Sequence, residues 1–154
     1  MLKFYSKQVV FQEVPNEISI SFSIAGCPLK CPGCSWKTAV SSMLERQLTD
    51  EYYYKALEEY KNLASCVLFY GGEWDKQDLI HKLQIAKSMN YKTCLYTGLT
   101  FEKVDKEIID NLDYIKVGPY IAALGGLDSP KTNQKLINLK TNEIMNHYMI
   151  HNAI

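Results

Sequence analysis

Four short apolar runs, each followed closely by glycine, constrain this chain more than any other feature. Residues 18–24, Ile-Ser-Ile-Ser-Phe-Ser-Ile, alternate apolar and polar side chains, as a strand with one face in the core does. Gly26 follows at once. Cys66 to Tyr70 is a second run, stopped by Gly71-Gly72-Glu73. Thr93 to Tyr96 is a third, ending at Thr97-Gly98, and Tyr114 to Val117 a fourth, ending at Gly118-Pro119. Between them lie helical patterns. Thr49-Asp50-Glu51 reads as a helix start, with acids at the positive end of the dipole, and the helix should run to about Leu63. Asp75 to about Met89 places Leu79, Ile80, Leu83, Ala86 and Met89 near one face. Thr100 caps a short helix through Ile109. A Gly- and Asp-rich loop spans roughly 121–134, and Leu136 to Leu139 reads as a last strand. Strand–helix alternation of this kind implies a sheet of mostly parallel strands joined by right-handed crossovers. The distinctive loops 25–35, 71–74, 97–99 and 118–120 then fall at the carboxyl ends of strands, where ligands bind in such folds.

The first of these loops carries Cys27, Cys31 and Cys34, spaced C-x3-C-x2-C, with Gly26, Pro28, Pro32 and Gly33 forbidding regular structure between them. Three thiolates can hold a cubane iron–sulfur cluster while one of its four irons lacks a protein ligand and stays open to another molecule. Ferredoxin-type clusters use four cysteines in other spacings. A structural zinc site needs four closed ligands, and no second C-x2-C or His arm is present. Cys66 and Cys94 could in principle supply a fourth ligand, but both sit in apolar strand runs, where cysteine behaves as a small hydrophobe.

Composition narrows the remaining classes. The 154 residues suffice for one domain with a hydrophobic core, spanning the whole chain 1–154, and 47% hydrophobic content argues against disorder. The 17 basic side chains balance 17 acidic ones, and Arg46 is the sole arginine, so a binder of nucleic-acid phosphates is not expected. No charged-then-apolar leader opens the chain, and no apolar run approaches the ~18 residues of a membrane span; a soluble, cytoplasmic protein without a membrane partner is expected. Five cysteines in such a chain point to metal or redox chemistry, not to disulfides.

The cysteine motif on the loop after the first strand of an α/β chain resembles the radical S-adenosylmethionine superfamily. That resemblance implies a compact partial (β/α) barrel and a [4Fe–4S] cluster held by Cys27, Cys31 and Cys34. It also implies S-adenosylmethionine bound through its amino and carboxylate groups to the open iron. Gly33, Cys34 and Ser35 would line the nucleotide. Gly71, Gly72 and Glu73 match the superfamily's glycine-rich motif, whose backbone meets the methionyl amino group; glycine permits close backbone approach. Within the superfamily, Cys31-Pro32-Gly33-Cys34 is similar to the anaerobic ribonucleoside-triphosphate reductase activating proteins. So are Tyr96-Thr97-Gly98-Leu99-Thr100-Phe101, Lys116-Val117-Gly118-Pro119-Tyr120, Gly125-Gly126-Leu127-Asp128-Ser129 and Thr132-Asn133-Gln134. The likeness runs from about residue 20 to 139. Ser35-Trp36 stands where that family often has Tyr-Asn, and Trp74 where the glycine motif usually continues to proline.

The resemblance implies an activating enzyme. A reduced cluster passes one electron to the sulfonium of S-adenosylmethionine, and the resulting 5′-deoxyadenosyl radical takes hydrogen from a glycine of the large catalytic reductase subunit. The implied partners are that subunit and a low-potential electron donor such as a flavodoxin-like protein. No side chain of this chain is assigned a catalytic role. Glu73 could pair with the methionyl ammonium or be a surface acid at a helix start. Lys116 could meet a carboxylate on the rim or be a solvated strand residue. Asn133 and Gln134 could line the pocket, though turn chemistry also explains Asn133. Trp36 and Trp74 could stack near adenine, face the partner, or simply pack. Adjacent helical residues diverge by about 100°, so Tyr52-Tyr53-Tyr54 cannot all face inward. Two other readings stand beside the leading one: activation of a different glycyl-radical enzyme, and a non-catalytic iron–sulfur or zinc carrier.

Overall fold

A computed structural model describes residues 1–26 and 45–150. Eight strands and three α-helices are described: β1 (Lys3–Val10), β2 (Ser19–Ile24), β3 (Arg46–Gln47), α1 (Asp50–Glu59), β4 (Cys66–Tyr70), α2 (Lys76–Ser88), β5 (Lys92–Tyr96), α3 (Lys106–Ile109), β6 (Tyr114–Val117), β7 (Lys135–Asn138) and β8 (Glu143–Ile144). They form one mixed sheet in the order β3-β1-β2-β4-β5-β6-β7-β8.

The expected mostly parallel sheet is thereby corrected. Only the central block β2-β4-β5-β6 is parallel; β1 pairs antiparallel with β2 and β3, and β7 pairs antiparallel with β6 and β8. The cause is connectivity. Parallel neighbours need a crossover long enough to return the chain to the same end, whereas loops without a helix deliver the next strand antiparallel. Helices separate the strands from β3 to β6, but residues 11–18 and 118–134 join their strands by turns alone. The sheet's edges, β3 and β8, are two-residue strands that do not pair with one another, so closure into a barrel is absent among the described residues.

β2 is buried on both faces, not one. On one side Ile20, Phe22 and Ile24 join Val67, Phe69, Leu95 and Ile115 under the three helices. The helices present the apolar stripe that their sequences require: Tyr53, Ala56 and Leu57 from α1, Leu79, Leu83 and Ala86 from α2, Ile108 from α3. Thr49 caps α1 by accepting a hydrogen bond from the Tyr52 N–H at 3.1 Å. Of the three tyrosines, Tyr53 is buried and donates to the Lys82 carbonyl at 2.7 Å, Tyr52 is half-buried and Tyr54 exposed. Lys82 is fully buried, and its Nζ donates to Asp50 at 2.7 Å and Asp78 at 3.1 Å, tying α1 to α2. The stretch after Thr100 splits into a 3-10 turn at Phe101–Lys103 and α3, which has its own cap in Asp105.

Among the described residues, the opposite face of the sheet is covered by chain without α-helix. Val14, Leu127 and Met145 pack against Cys66, Leu68, Cys94, Tyr114 and Leu136. Ser19, Ser21 and Ser23 point to this side and are buried beneath it. The Tyr96 hydroxyl donates to the Glu13 carbonyl, fixing the 11–17 loop over the sheet.

Candidate functional site

The four parallel strands end together. Cross-strand register places Ser23, Tyr70, Tyr96 and Lys116 side by side in the last rung. Beyond it the loops are stitched by backbone bonds. Gly71 N–H donates to the Tyr96 carbonyl at 2.9 Å, Thr97 N–H to Lys116 at 2.9 Å, and Gly118 N–H to Leu99 at 2.7 Å. The described parts of all four distinctive loops therefore lie on one rim. Cys27, Cys31, Gly33, Cys34, Ser35 and Trp36 lie outside the described residues; Gly26, immediately before Cys27, belongs to the rim.

Gly71 and Gly72 take φ values of +89° and +114°, a region that side-chain-bearing residues rarely enter. Their Cβ directions run into the chain itself. A methyl on Gly71 would lie 2.5 Å from Cη2 of Trp74, and one on Gly72 would touch Leu2 and Leu79 at 3.5 Å. Conformation and packing thus account for both glycines. They also turn the chain so that Glu73 points across to β5 rather than outward.

Glu73 is not a surface acid at a helix start. Its Oε1 accepts a hydrogen bond from the Thr97 hydroxyl at 2.7 Å, and that hydroxyl in turn accepts from the Leu99 N–H at 3.1 Å. Thr97 is buried, so the bond is shielded from water. The second oxygen, Oε2, is sealed from solvent and has no hydrogen-bond partner among the described residues. A carboxylate oxygen left so is costly unless a cation or donor meets it. Thr97 stands directly after β5, level with Gly71, and that position is the sequence signal that pairs it with Glu73.

The far side of the rim is built on Gly118. Its carbonyl accepts from Lys116 Nζ and from Gln134 Nε2, each at 3.3 Å. Lys116 Nζ also lies 5.8 Å from the centre of the Tyr96 ring, which itself meets Tyr70 edge-on at 5.4 Å. Burial pushes both tyrosine hydroxyls above their ordinary range. Asn133 Nδ2 donates to the Pro119 carbonyl at 3.1 Å, while its Oδ1 is buried without a partner. Lys116, Asn133 and Gln134 are thus rim residues brought together around one turn. Cys66 and Cys94 are fully buried in β4 and β5, within the apolar packing on the face opposite the helices, and each is a free thiol.

The family comparison matches a model described as "4Fe-4S single cluster domain" over residues 18–144. The chain belongs to that family. Comparison with curated proteins and with solved structures returned no match. The 4Fe-4S single cluster match runs from the start of the parallel block through β8 and so includes the whole rim. Among the described residues no group of three His, Cys, Asp or Glu side chains converges to hold a metal. Nor is any described helix long and apolar enough to cross a membrane.

Proposed function

We propose that this 4Fe-4S single cluster protein is a radical S-adenosylmethionine enzyme that activates a glycyl-radical enzyme. Cys27, Cys31 and Cys34 would hold the cluster by three of its irons and leave the fourth open to the methionyl end of the ligand. When bound, the cluster and S-adenosylmethionine supply one-electron reductive cleavage of the sulfonium carbon–sulfur bond. The chain's own residues bind and orient. Gly33 and Ser35 line the nucleotide, Gly71 and Gly72 shape the turn, and Glu73 receives the ligand's ammonium. The block β2-β4-β5-β6 is the piece of a partial (β/α) barrel on which the site stands. The preferred substrate is a glycine on the large subunit of anaerobic ribonucleoside-triphosphate reductase, with a flavodoxin-like donor and a cytoplasmic setting.

One observation carries the reading. Glu73 Oε2 is buried, lacks a partner among the described residues and sits on the rim that Gly26 shares. That is what a site for a positively charged amino group requires before the ligand arrives.

Anaerobic reconstitution, reduction and addition of S-adenosylmethionine should yield 5′-deoxyadenosine. With the reductase large subunit present, a glycyl radical should appear by electron paramagnetic resonance. A Glu73→Gln variant keeps an acceptor for Thr97 but loses the charge, and should need at least tenfold more S-adenosylmethionine to saturate (on the order of 1.4 kcal/mol). A properly reduced cluster that yields no 5′-deoxyadenosine refutes the radical reading and leaves a carrier of clusters. Product without a glycyl radical refutes the reductase as partner.

A further inference from the structure

β2 and β4 pair in parallel as far as Ser23 and Tyr70, and there their ladder ends among the described residues. Backbone bonds then draw the two strand ends toward opposite neighbours. Ala25 N–H donates to Lys3 on the β1 side at 2.8 Å, whereas Gly71 N–H donates to Tyr96 on β5 at 2.9 Å. One continuation leads through Gly26 into Cys27, the other through Gly72 into Glu73. Both begin with glycines at positive φ, +93° at Gly26 and +89° at Gly71, the residue type with most backbone freedom to lose.

Trp74 spans this divergence. The six-membered edge of its indole lies against Gly71, where an added Cβ would come within 2.5 Å of Cη2 and 3.1 Å of Cζ3. Its Nε1 lies against Gly26, 3.5 Å from where a Cβ would stand. The ring also packs on the helix-side core. A large rigid side chain with two rotatable bonds can hold two turns at low entropic cost. Glycine at both contact points lets it lie close.

We propose that Trp74 is a positioning residue that clasps the strand end leading into the cysteines to the turn that carries Glu73. The clasp sets how the cluster and the ammonium-receiving carboxylate face one another, and hence the affinity for the amino-acid end of the ligand. This second half rests on the function proposed above; the clasp itself rests on geometry alone.

The test has two arms, each run on wild type, Trp74→Ala and Trp74→Phe. In the protein without cluster, backbone amide exchange is followed at residues 24–26 and 71–73, with Leu95 and Ile115 in the central strands as internal controls. Trp74→Ala should speed exchange at both turns roughly tenfold and leave the controls unchanged, with Trp74→Phe between. Should the alanine variant fail to fold, the phenylalanine variant carries the comparison. Wild-type exchange at both turns, or acceleration at only one, overturns the clasp. In the reconstituted protein, the reduced cluster's paramagnetic resonance signal is titrated with S-adenosylmethionine. The variants should hold as much cluster as wild type yet need about tenfold more S-adenosylmethionine to convert the signal. Faster exchange with an unchanged titration overturns the positioning role. A wild-type signal that S-adenosylmethionine does not move overturns the proposed function and the ligand half of this inference with it, while the exchange arm still decides the clasp.

Discussion

Gly71→Ala isolates the turn that presents Glu73. The substitution adds one methyl to a backbone at φ +89°, 2.5 Å from Cη2 and 3.1 Å from Cζ3 of Trp74. Holding a residue with a Cβ in the left-handed region costs about 1–2 kcal/mol. Moving an aromatic ring out of a packed position costs about 1–3 kcal/mol more. The sum, roughly 2–5 kcal/mol, is a large share of the ~5–15 kcal/mol that stabilises a typical domain. For a chain of this size it corresponds to a fall in Tm of roughly 5–20 °C. Urea unfolding should show the midpoint shifted with an unchanged slope. The two contributions separate in the double variant. Once Trp74 is alanine the clash is gone, so adding Gly71→Ala should cost only the backbone part, about 1–2 kcal/mol, and the pair should be non-additive by the remainder. A Gly71→Ala protein within about 0.5 kcal/mol of wild type, or strict additivity with Trp74→Ala, would refute the claim that the ring lies across this turn.

Cys66 and Cys94 should resist a thiol reagent at pH 8 in the folded protein and react after unfolding, as counted by mass spectrometry. Burial pushes the Cys66 thiol up to about 12 and raises that of Cys94 well above its ordinary value, and both are fully enclosed; rapid labelling of the folded chain at either would contradict the packing. Asp50 is held below its ordinary value by the hydrogen bond from Lys82 first and that from His81 second. Its contribution to stability is therefore complete above about pH 4, the unfolded value, and is lost as pH falls through the lower folded value. Asp50→Asn should flatten this acid limb of the stability profile; an identical acid limb in the variant would show that the Asp50 contacts do not form.

What the sequence revealed depended on how local the cause was. Thr49 caps α1 through its own side chain, the stripe of Leu79, Leu83 and Ala86 makes α2, and Gly71-Gly72 ends β4; all three were legible because the deciding residues are neighbours in the chain. β1 was not, because Lys3–Val10 lacks alternation: only Phe4 is fully buried, and the register shifts between Phe4 and Ser6. Strand direction at the flanks was equally hidden, since it follows from what a loop without a helix can reach. The serines of β2 alternate as an outward face would, yet they are buried, because the segments that cover them are irregular and distant in sequence. At the site, Glu73 stood out by its glycines, but Thr97 lies 24 residues away and no local pattern announces the pair.

The amides that stitch the rim also decide where this protein can be lengthened. Gly71, Thr97 and Gly118 each take the carbonyl of a neighbouring segment, so every rim loop is partly aligned by the next one. A residue inserted after Tyr96 would shift Thr97 out of reach of both Lys116 and Glu73, and the damage would pass sideways into turns whose own sequence is intact. The opposite ends of the strands are permissive by comparison: residues 60–63, between α1 and β4, and 140–142, between β7 and β8, carry mostly exposed side chains away from the rim. Tags, fluorophores or length variation are best accommodated there, while the rim has to be altered as a set or left alone.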